Sequence, residues 1–403
     1  EQWKYPLPKM HKVCQIFQRP RLDDIKAHID CEIMKDEILT KIRPGTKVAI
    51  AVGSRGIRNI EIIVKEVVKK IKSLGADPFI VSAMGSHGGG TSEGQRIVLA
   101  SYGITEENMG VKILTSMDVT YLGKTSRGIN VFFDSVALGA DLIVPINRVK
   151  LHTDFVADIQ SGLCKMLVIG LGNHIGCTAI HEADFDIFAD TLLEAVKIIM
   201  NRAHVGFGVA VLENAYDETA MIEAIPSEKL ITREKELVQI AKTYMPMLMI
   251  PDIDVLVVDE IGKNISGAGY DPNILGKSFI LKKFVLPVPH IKRMVLFDVT
   301  DQSHGNAAGM GNFDVITRKV FDKLDLPQIY ANGVAIKSPE GSKIPIIAES
   351  EEEAIRIAIQ VARGVDKDRL KIVRIKNTLE LNTIEVSDAL LDYVASNKKL
   401  KLI

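Results

Sequence analysis

Short apolar runs alternate with amphipathic runs through the first half of the chain, a pattern typical of strands followed by crossover helices. Residues 46–52 (TKVAIAV) predict a buried strand, and the loop GSRGIR follows it. A helix is then predicted between Asn59, which would cap it, and Gly75, which would end it. Apolar residues recur in this segment at steps of three and four, so one face of the helix should pack on a sheet.

The same unit then repeats along the chain. Residues 78–84 predict a second strand, the loop GSHGGG follows it, and a second helix is predicted to begin near Thr91. Ser92 and Gln95 have the spacing of a capping box for this helix. Two successive strand–loop–helix units predict a parallel sheet, in which ligands lie beyond the carboxyl ends of the strands, where both loops must be.

The rest of the chain continues the α/β pattern. Further strands are predicted at 129–133, 141–146, 205–212, 254–258 and 291–299, and further helices near 184–202, 232–244, 313–323 and 349–363. The proline-bounded segment 246–251 interrupts the pattern and is the predicted domain boundary. The fold class is therefore α/β, with two α/β domains (1–250 and 251–403), mainly parallel sheets and an active-site cleft between them. The sequence leaves open whether the amphipathic stretch 386–397 folds back onto the first domain.

Composition and charge argue against several classes of partner. Hydrophobic residues make up 47% of the 403 residues and charged residues 25%, which is enough apolar material for a sizeable core. The formal net charge is -1 and aromatic residues are only 5%, so neither nucleic acid nor an anionic membrane is an expected partner. No stretch approaches the ~18 unbroken apolar residues of a membrane span. With four scattered cysteines, no CxxC pair and no signal-like N-terminus, we expect a soluble, cytoplasmic protein; a homo-oligomer is compatible with the sequence.

The first loop, GSRGIR, carries two arginines, Arg55 and Arg58, just before a predicted helix N-terminus. Guanidinium groups and the free N–H groups of a helix N-terminus both favour an anion, especially a carboxylate or a phosphate. The alternative is a solvated arginine in an ordinary strand–helix loop. The pattern favours neither reading on its own.

The second loop, GSHGGG, places His87 before three glycines. Glycines let the backbone approach a ligand closely, and imidazole is the usual group for moving a proton near neutral pH. The alternative is a surface turn with an incidental histidine, which is the commoner case for an isolated motif. The loop has neither the GxGxxG spacing of a dinucleotide site nor the Lys-Ser/Thr of a P-loop.

The segment 152–181 (HTDFVADIQSGLCKMLVIGLGNHIGCTAIH) is the richest in chemistry. It contains His152, His174 and His181, together with Lys165 at the start of an apolar run. A lysine in such a setting is either desolvated, and then a nucleophile or an attachment site, or a snorkelling side chain at a helix end. The His and Cys spacings match none of the compact zinc signatures.

The order GSRGIR, GSHGGG, then His152…Lys165…His181 resembles the nickel-pincer lactate racemase family and its broader set of homologues. The resemblance covers most of the chain, because residues 259–263 (DEIGK) and 305–311 (GNAAGMG) continue it. The family's cofactor is a nickel-pincer nucleotide (pyridinium-3-thioamide-5-thiocarboxylic acid mononucleotide). The resemblance implies that Lys165 tethers this cofactor and that His181 is the protein ligand of nickel, which imidazole and sulfur donors suit.

The resemblance also implies the reaction. His87 and His152 would be the acid/base pair on opposite sides of a 2-hydroxy acid, Arg58 would hold the substrate carboxylate, and Lys263 would reach in from the second domain. One histidine would remove the hydroxyl proton while the C2 hydride moves to the cofactor, and return of hydride to either face would give a racemase or epimerase. Enzymes that mature the cofactor are then necessary partners.

Two features depart from the lactate-specific pattern. Arg55 stands where an acidic residue is expected, three residues before the carboxylate-binding arginine. The stretch between His152 and Lys165 is longer than in lactate racemases and lacks their paired glycines. An added positive charge at Arg55 suits a larger or doubly anionic 2-hydroxy acid. For His174 the resemblance gives no role.

Two other functions remain as alternatives. A nicotinamide-dependent oxidoreductase would use the same kind of sheet, although neither early loop has the GxGxxG spacing. A non-catalytic binding homologue that never receives the cofactor is the second alternative, against which the full set of chemical residues argues.

Overall fold

The computed structural model describes residues 6–54 and 56–403 of the chain. The strands are β1 (Met10–Gln15), β2 (Lys47–Val52), β3 (Asp77–Ser82), β4 (Ile113–Leu114), β5 (Val119–Lys124), β6 (Asn130–Asp134), β7 (Leu142–Arg148), β8 (Phe207–Glu213), β9 (Thr219–Pro226), β10 (Asp252–Ile261), β11 (His290–Val299), β12 (Val315–Thr317), β13 (Ile346–Ala348), β14 (Ile372–Ile375), β15 (Thr383–Ser387) and β16 (Leu400–Leu402).

The helices follow the same order. They are α1 (Ile25–Ile33), α2 (Asp36–Leu39), α3 (Ile60–Ser73), α4 (Ser92–Ser101), α5 (Glu106–Met109), α6 (Ser135–Leu138), α7 (Leu163–Lys165), α8 (Asn173–His181), α9 (Phe185–Arg202), α10 (Leu230–Tyr244), α11 (Pro272–Leu275), α12 (Arg318–Asp322), α13 (Leu326–Ala335), α14 (Glu351–Val361) and α15 (Leu391–Ser396).

The chain forms two compact units. The N-terminal unit is Arg19–Tyr244, and the C-terminal unit is Met245–Ile403 together with the chain up to Gln18. The sequence prediction assigned 1–250 to one domain, whereas β1 pairs antiparallel with β15 and β16 of the C-terminal unit. The strand is short and buries only Val13 and Gln15, so its hydrophobic pattern does not reveal where it pairs.

The N-terminal unit is built on a sheet of order β4-β3-β2-β7-β8-β9, in which only β9 is antiparallel to its neighbour. This confirms the predicted mixed α/β fold with a mostly parallel sheet. The chain turns from β2 to β3 and β4 on one side, and places β7 and β8 on the other. The topological switch point, where such sheets bind ligands, therefore lies beyond the carboxyl ends of β2 and β7.

The predicted amphipathic face of the first crossover helix is confirmed. The apolar residues of α3 that face the sheet are all buried: Ile60, Ile63, Val64, Val67, Val68 and Ile71. Asn59 stands at the N-cap in a left-handed conformation (φ 62°) but does not cap the helix; its side-chain amide donates instead to the Thr219 hydroxyl, 3.0 Å away.

The C-terminal unit has a sheet of order β13-β12-β11-β10-β14-β15-β1-β16, of which the first five strands are parallel. The prediction of one helix over 313–323 is wrong in part. Its β-branched start forms β12, which pairs with β11 and β13, and only α12 is helical. The stretch 386–397 belongs to this unit, because β15 pairs with β14 and β1 and α15 buries Val394 in the same core.

No single helix among the described residues is long and apolar enough to cross a bilayer. One sharply bent pair, Leu163–Gly170 with Asn173–His181, reaches that length and composition when its two parts are taken together.

Candidate active site

Lys165 and His152 meet beyond the carboxyl end of β7. The chain leaves β7, forms a loop closed by the backbone pair of Lys150 with Ser161, and enters α7, which ends at Lys165. The half-buried Lys165 Nζ lies 2.5 Å from Nε2 of His152. A π-helical turn, Met166–Gly170, follows at once; such turns occur often at functional sites.

The His152 ring is fixed on both sides. The backbone N–H of Asp154 donates to its Nδ1 at 3.0 Å, and its face stacks on Phe155 with ring centroids 4.3 Å apart. The backbone N–H of His152 donates to Gln160 Oε1 at 2.8 Å. With its side chain only 12% exposed, the ring is held in one orientation.

A row of four rings joins His152 to His181. After the first stacking contact, Phe155 packs on Phe188 with centroids 5.0 Å apart, and Phe188 packs on His181 at 5.4 Å. The Lys165 amine lies close enough to His181 that a positive charge on it would lower the pKa of this imidazole. The structure thus brings Lys165, His152 and His181 into one site.

His181 is the last residue of α8. Its Nδ1 donates to the Cys177 carbonyl oxygen at 2.6 Å, so in the neutral ring the proton lies on Nδ1 and Nε2 has the lone pair. Burial lowers the pKa of His181, but the contacts with Cys177, whose Sγ lies 3.6 Å from Nδ1, outweigh it and the net shift is upward. Burial conversely raises the pKa of the Cys177 thiol, while its contacts with His181 and Ser86 lower it to below the usual value.

Cys177 also connects α8 to the loop GSHGGG. Its Sγ lies 3.8 Å from Ser86 Oγ, and the Gly85 N–H donates to the Gly170 carbonyl at 3.0 Å. A Cβ on Gly85, which has φ 59°, would lie 3.0 Å from the Ile169 oxygen, so this loop packs directly on the turn that follows Lys165.

The exposed His87 is held from two sides. Its Nδ1 hydrogen-bonds the Ser54 hydroxyl, which brings the loops GSRGIR and GSHGGG together. The fully buried Gln95 side chain donates to the carbonyls of Gly85 at 3.0 Å and of His87 at 3.3 Å. Tyr102, at the other end of α4, donates to the Ser54 carbonyl at 2.6 Å.

The predicted capping box of α4 is wrong. Thr91, not Ser92, is the N-cap, and its hydroxyl accepts from the Gly94 N–H at 3.1 Å. Gln95 points away from the helix terminus because the loop that carries His87 supplies carbonyls for its amide. Spacing alone does not distinguish these two uses of a glutamine.

Arg58 lies exposed at the edge of a charged cluster beyond β2, β7 and β8. Its backbone N–H donates to Glu213 Oε1 at 2.6 Å, and the other oxygen of Glu213 pairs with Arg148. Burial and the neighbouring Glu213 raise the pKa of Asp217, although Arg148, Arg58 and Lys150 act against them. The cluster therefore holds three cations within range of two carboxyls.

Arg55, Lys263 and His174 are the remaining residues that the sequence singled out. Arg55 is outside the residues that the structure describes. Lys263 follows β10 in the C-terminal unit, where its Nζ donates to the Gly267 carbonyl at 2.7 Å. His174 is exposed at the start of α8, and a Cβ on Gly90 would lie 3.4 Å from its Nδ1, so it borders the His87 loop.

Glu234 is a residue that the sequence analysis missed. It is fully buried on α10 and accepts from the Cys164 N–H at 3.0 Å, one residue before Lys165. Burial raises its pKa to about 7. A Cβ on Gly162 would lie 2.5 Å from its carboxyl oxygen, so only glycine allows this approach. Nothing in the sequence of an amphipathic helix marks one of its glutamates as buried.

His181 presents one nitrogen at this site that suits a metal. In the part of the chain that the structure describes, no three His, Cys, Asp or Glu side chains are grouped as a metal centre. Nε2 of His181, with its lone pair kept by the Nδ1 hydrogen bond, is the donor that the site offers.

Comparisons with known proteins relate this chain to one family. Residues 17–189, which include the loops 53–58 and 85–90 and the segment 152–181, match the family model of the lactate racemase N-terminal domain. A comparison with curated protein sequences finds no match.

Among solved structures, the lactate racemase apoprotein from Thermoanaerobacterium thermosaccharolyticum has a TM-score of 0.51 and 14% sequence identity to this chain. The match covers 91% of this chain and 94% of that one, so the likeness extends over both units and concerns the fold. The resemblance to the lactate racemase family that was predicted from the loops and the histidines is thereby confirmed as a resemblance: residues 17–189 match the model of that family's N-terminal domain.

Proposed function

We propose that this protein is a racemase or epimerase of a 2-hydroxy acid that works with a nickel-pincer nucleotide tethered to Lys165. The observation that carries the proposal is the contact of Lys165 Nζ with Nε2 of His152, within electrostatic range of His181. It joins an attachment amine, an acid/base group and a metal donor in one place, at the switch point of a parallel sheet.

The residues present fit such a cofactor. A half-buried primary amine is available for an amide-type bond, and the imidazole of His181 presents Nε2 to a metal because Nδ1 donates to Cys177. When bound, the group would accept a hydride from C2 of the substrate and return it. Enzymes that synthesise the cofactor would be the protein's partners.

Substrate binding is assigned to the charged cluster. Arg58 has a planar guanidinium that suits a carboxylate, and its backbone is held at both ends, by Glu213 at its N–H and by the Thr219 hydroxyl at its carbonyl, 3.2 Å away. We also assign Arg55 and Lys263 to substrate binding, Arg55 for a second anionic group and Lys263 for assistance.

The two catalytic histidines would hold complementary protonation states. Nδ1 of His152 accepts a hydrogen bond from Asp154, so a neutral His152 carries its proton on Nε2 and can donate it. His87 contacts the Ser54 hydroxyl through Nδ1; with its proton there, Nε2 has the lone pair that a general base needs. One ring would thus take the hydroxyl proton while the other supplies one, as reaction at either face of C2 requires.

The proposal is tested by intact mass and nickel analysis after co-expression with pincer-synthesis enzymes, for wild type and Lys165→Ala. We expect a mass gain and bound nickel in wild type only. Loading of both proteins, or of neither, would reject the tether.

Substrate class is tested next with a panel of chiral 2-hydroxy acids and the Arg55→Ala variant. Loss of activity on doubly anionic acids would support the role of Arg55. Racemisation of only small neutral-tailed acids, unchanged in Arg55→Ala, would refute it.

A further inference from the structure

We infer that His152 holds the amine of Lys165 in its neutral, nucleophilic form before anything is attached to it. The inference rests on the proposed function, which explains why a neutral amine would be needed. The protonation state itself is argued from the hydrogen bonds around His152.

The direction of one hydrogen bond fixes the others. The backbone N–H of Asp154 points at Nδ1 of His152, 3.0 Å away, and a backbone N–H can only donate. Nδ1 is therefore an acceptor and carries no proton. A neutral imidazole has one proton, so it lies on Nε2.

Nε2 faces Nζ of Lys165 at 2.5 Å. Since Nε2–H is a donor, Nζ must accept, and only a neutral amine has a lone pair with which to do so. An ammonium donating to Nε2 would force the ring proton onto Nδ1, against the N–H of Asp154. The hydrogen-bond pattern therefore favours the neutral amine of Lys165 over the ammonium.

The surroundings act in the same direction. Lys165 follows two fully buried residues, Leu163 and Cys164, and precedes the buried Met166, so an ammonium there would be poorly hydrated. Carboxyls that act in the opposite direction include that of Asp154, 3.9 Å from Nδ1 of His152, and that of Glu234 beside the Cys164 N–H. Burial raises the pKa of Glu234 to about 7, which reduces its negative charge near neutrality.

A neutral amine is what acylation requires. The lone pair of Nζ forms a bond to the carbon of an activated acyl group, the bond to the leaving group breaks with its electron pair, and one amine proton passes to water. The amide nitrogen that results has no basic lone pair, so His152 is then released from the lysine for proton transfer to the substrate.

The test uses the full-length apoprotein, expressed without cofactor-synthesis enzymes and labelled with ¹⁵N-lysine. The Nζ signal of Lys165 is identified by its absence in Lys165→Arg. We expect a neutral-amine signal in wild type at pH 7 and an ammonium signal in His152→Asn. An ammonium signal in wild type, or a neutral one in both proteins, would overturn the inference.

Asp154→Asn is the matched control, because it keeps the backbone N–H but removes the carboxylate, which lies 3.9 Å from Nδ1. We expect a neutral amine in this variant too. An ammonium signal there would mean that the carboxylate, not the N–H, sets the state of the pair, and would also overturn the inference. None of these signals depends on cofactor loading or racemase activity, so failure of the proposed function would be seen separately.

Discussion

The side chain of Gln95 donates to the backbone carbonyl of His87, 3.3 Å away, and so ties the second turn of α4 to the loop that carries the proposed base. The same amide donates to Gly85, whose own N–H reaches the turn after Lys165. One buried glutamine therefore sets the distance between two parts of the site.

Gln95→Leu should loosen the His87 loop, because two carbonyls lose their donor. We expect a loss of about 1–3 kcal/mol in the free energy of unfolding, the usual cost of leaving buried polar groups unpaired. We also expect roughly a tenfold fall in kcat, since the base is misplaced. Urea denaturation and steady-state kinetics measure the two. Ser92→Ala is the control and should change neither, because Thr91 caps the helix; an equal effect in both variants would contradict the prediction.

Glu234 should make stability fall as pH rises. Its pKa in the folded state, about 7, is above the value of 4.5 for an unfolded glutamate, so the folded chain binds more protons between these pH values. The free energy of unfolding should then decrease by about 3 kcal/mol from pH 4.5 to pH 7 and level off above it, on account of this group.

Glu234→Gln removes the titrating carboxyl and keeps an acceptor for the Cys164 N–H. Urea denaturation of both proteins at several pH values isolates the contribution, because all other groups are shared. The difference between variant and wild type should grow in favour of the variant as pH rises to about 7. A constant difference would mean that the carboxyl does not titrate in this range.

Lys165 should be the most reactive amine of the apoprotein towards an acyl ester. At pH 7 roughly one in 2,500 ordinary lysines is neutral, so a lysine held neutral should be acetylated by p-nitrophenyl acetate at least about tenfold faster than the others. Peptide mapping at short times measures this. In His152→Asn the preference should vanish, and its persistence would contradict the role of His152.

Arg58→Lys should weaken substrate binding and spare the chemical step. A lysine keeps the charge but loses the planar fork, so we expect KM to rise by about tenfold with kcat little changed. The backbone hydrogen bonds to Glu213 and Thr219 remain in this variant. A fall in kcat alone would place Arg58 in the transition state and not in carboxylate binding.

Sequence reasoning found the parts of the site that local pattern encodes. The two loops after β2 and β3 were predicted at the carboxyl ends of parallel strands, because each follows a β-branched run and precedes an amphipathic helix. Since such strands lie side by side, the meeting of Ser54 with His87 follows from topology.

The contacts that could not be predicted from the sequence join residues that are far apart along the chain. Glu234 is 70 residues from Cys164, and Phe188, which connects two rings of the row, sits in a helix whose apolar face looks like any other. β1 was missed for the same reason: its partners, β15 and β16, lie at the far end of the chain. Burial of a polar residue is a property of the assembled unit and has no local signature.

The position of the site at the switch point between β2 and β7 affects which substitutions this protein can accept during evolution. Every proposed chemical group of the N-terminal unit is carried by a crossover segment and none by the inside of a strand, while the sheet is stabilised by aliphatic residues such as Ile50 and Val144. Replacing an exposed residue of one loop, such as Arg58, would therefore alter which acid the proposed site accepts without changing that core, whereas Ile57 of the same loop is part of the core. Under the proposed function, selection on substrate range and selection on stability would act on different positions even within one loop.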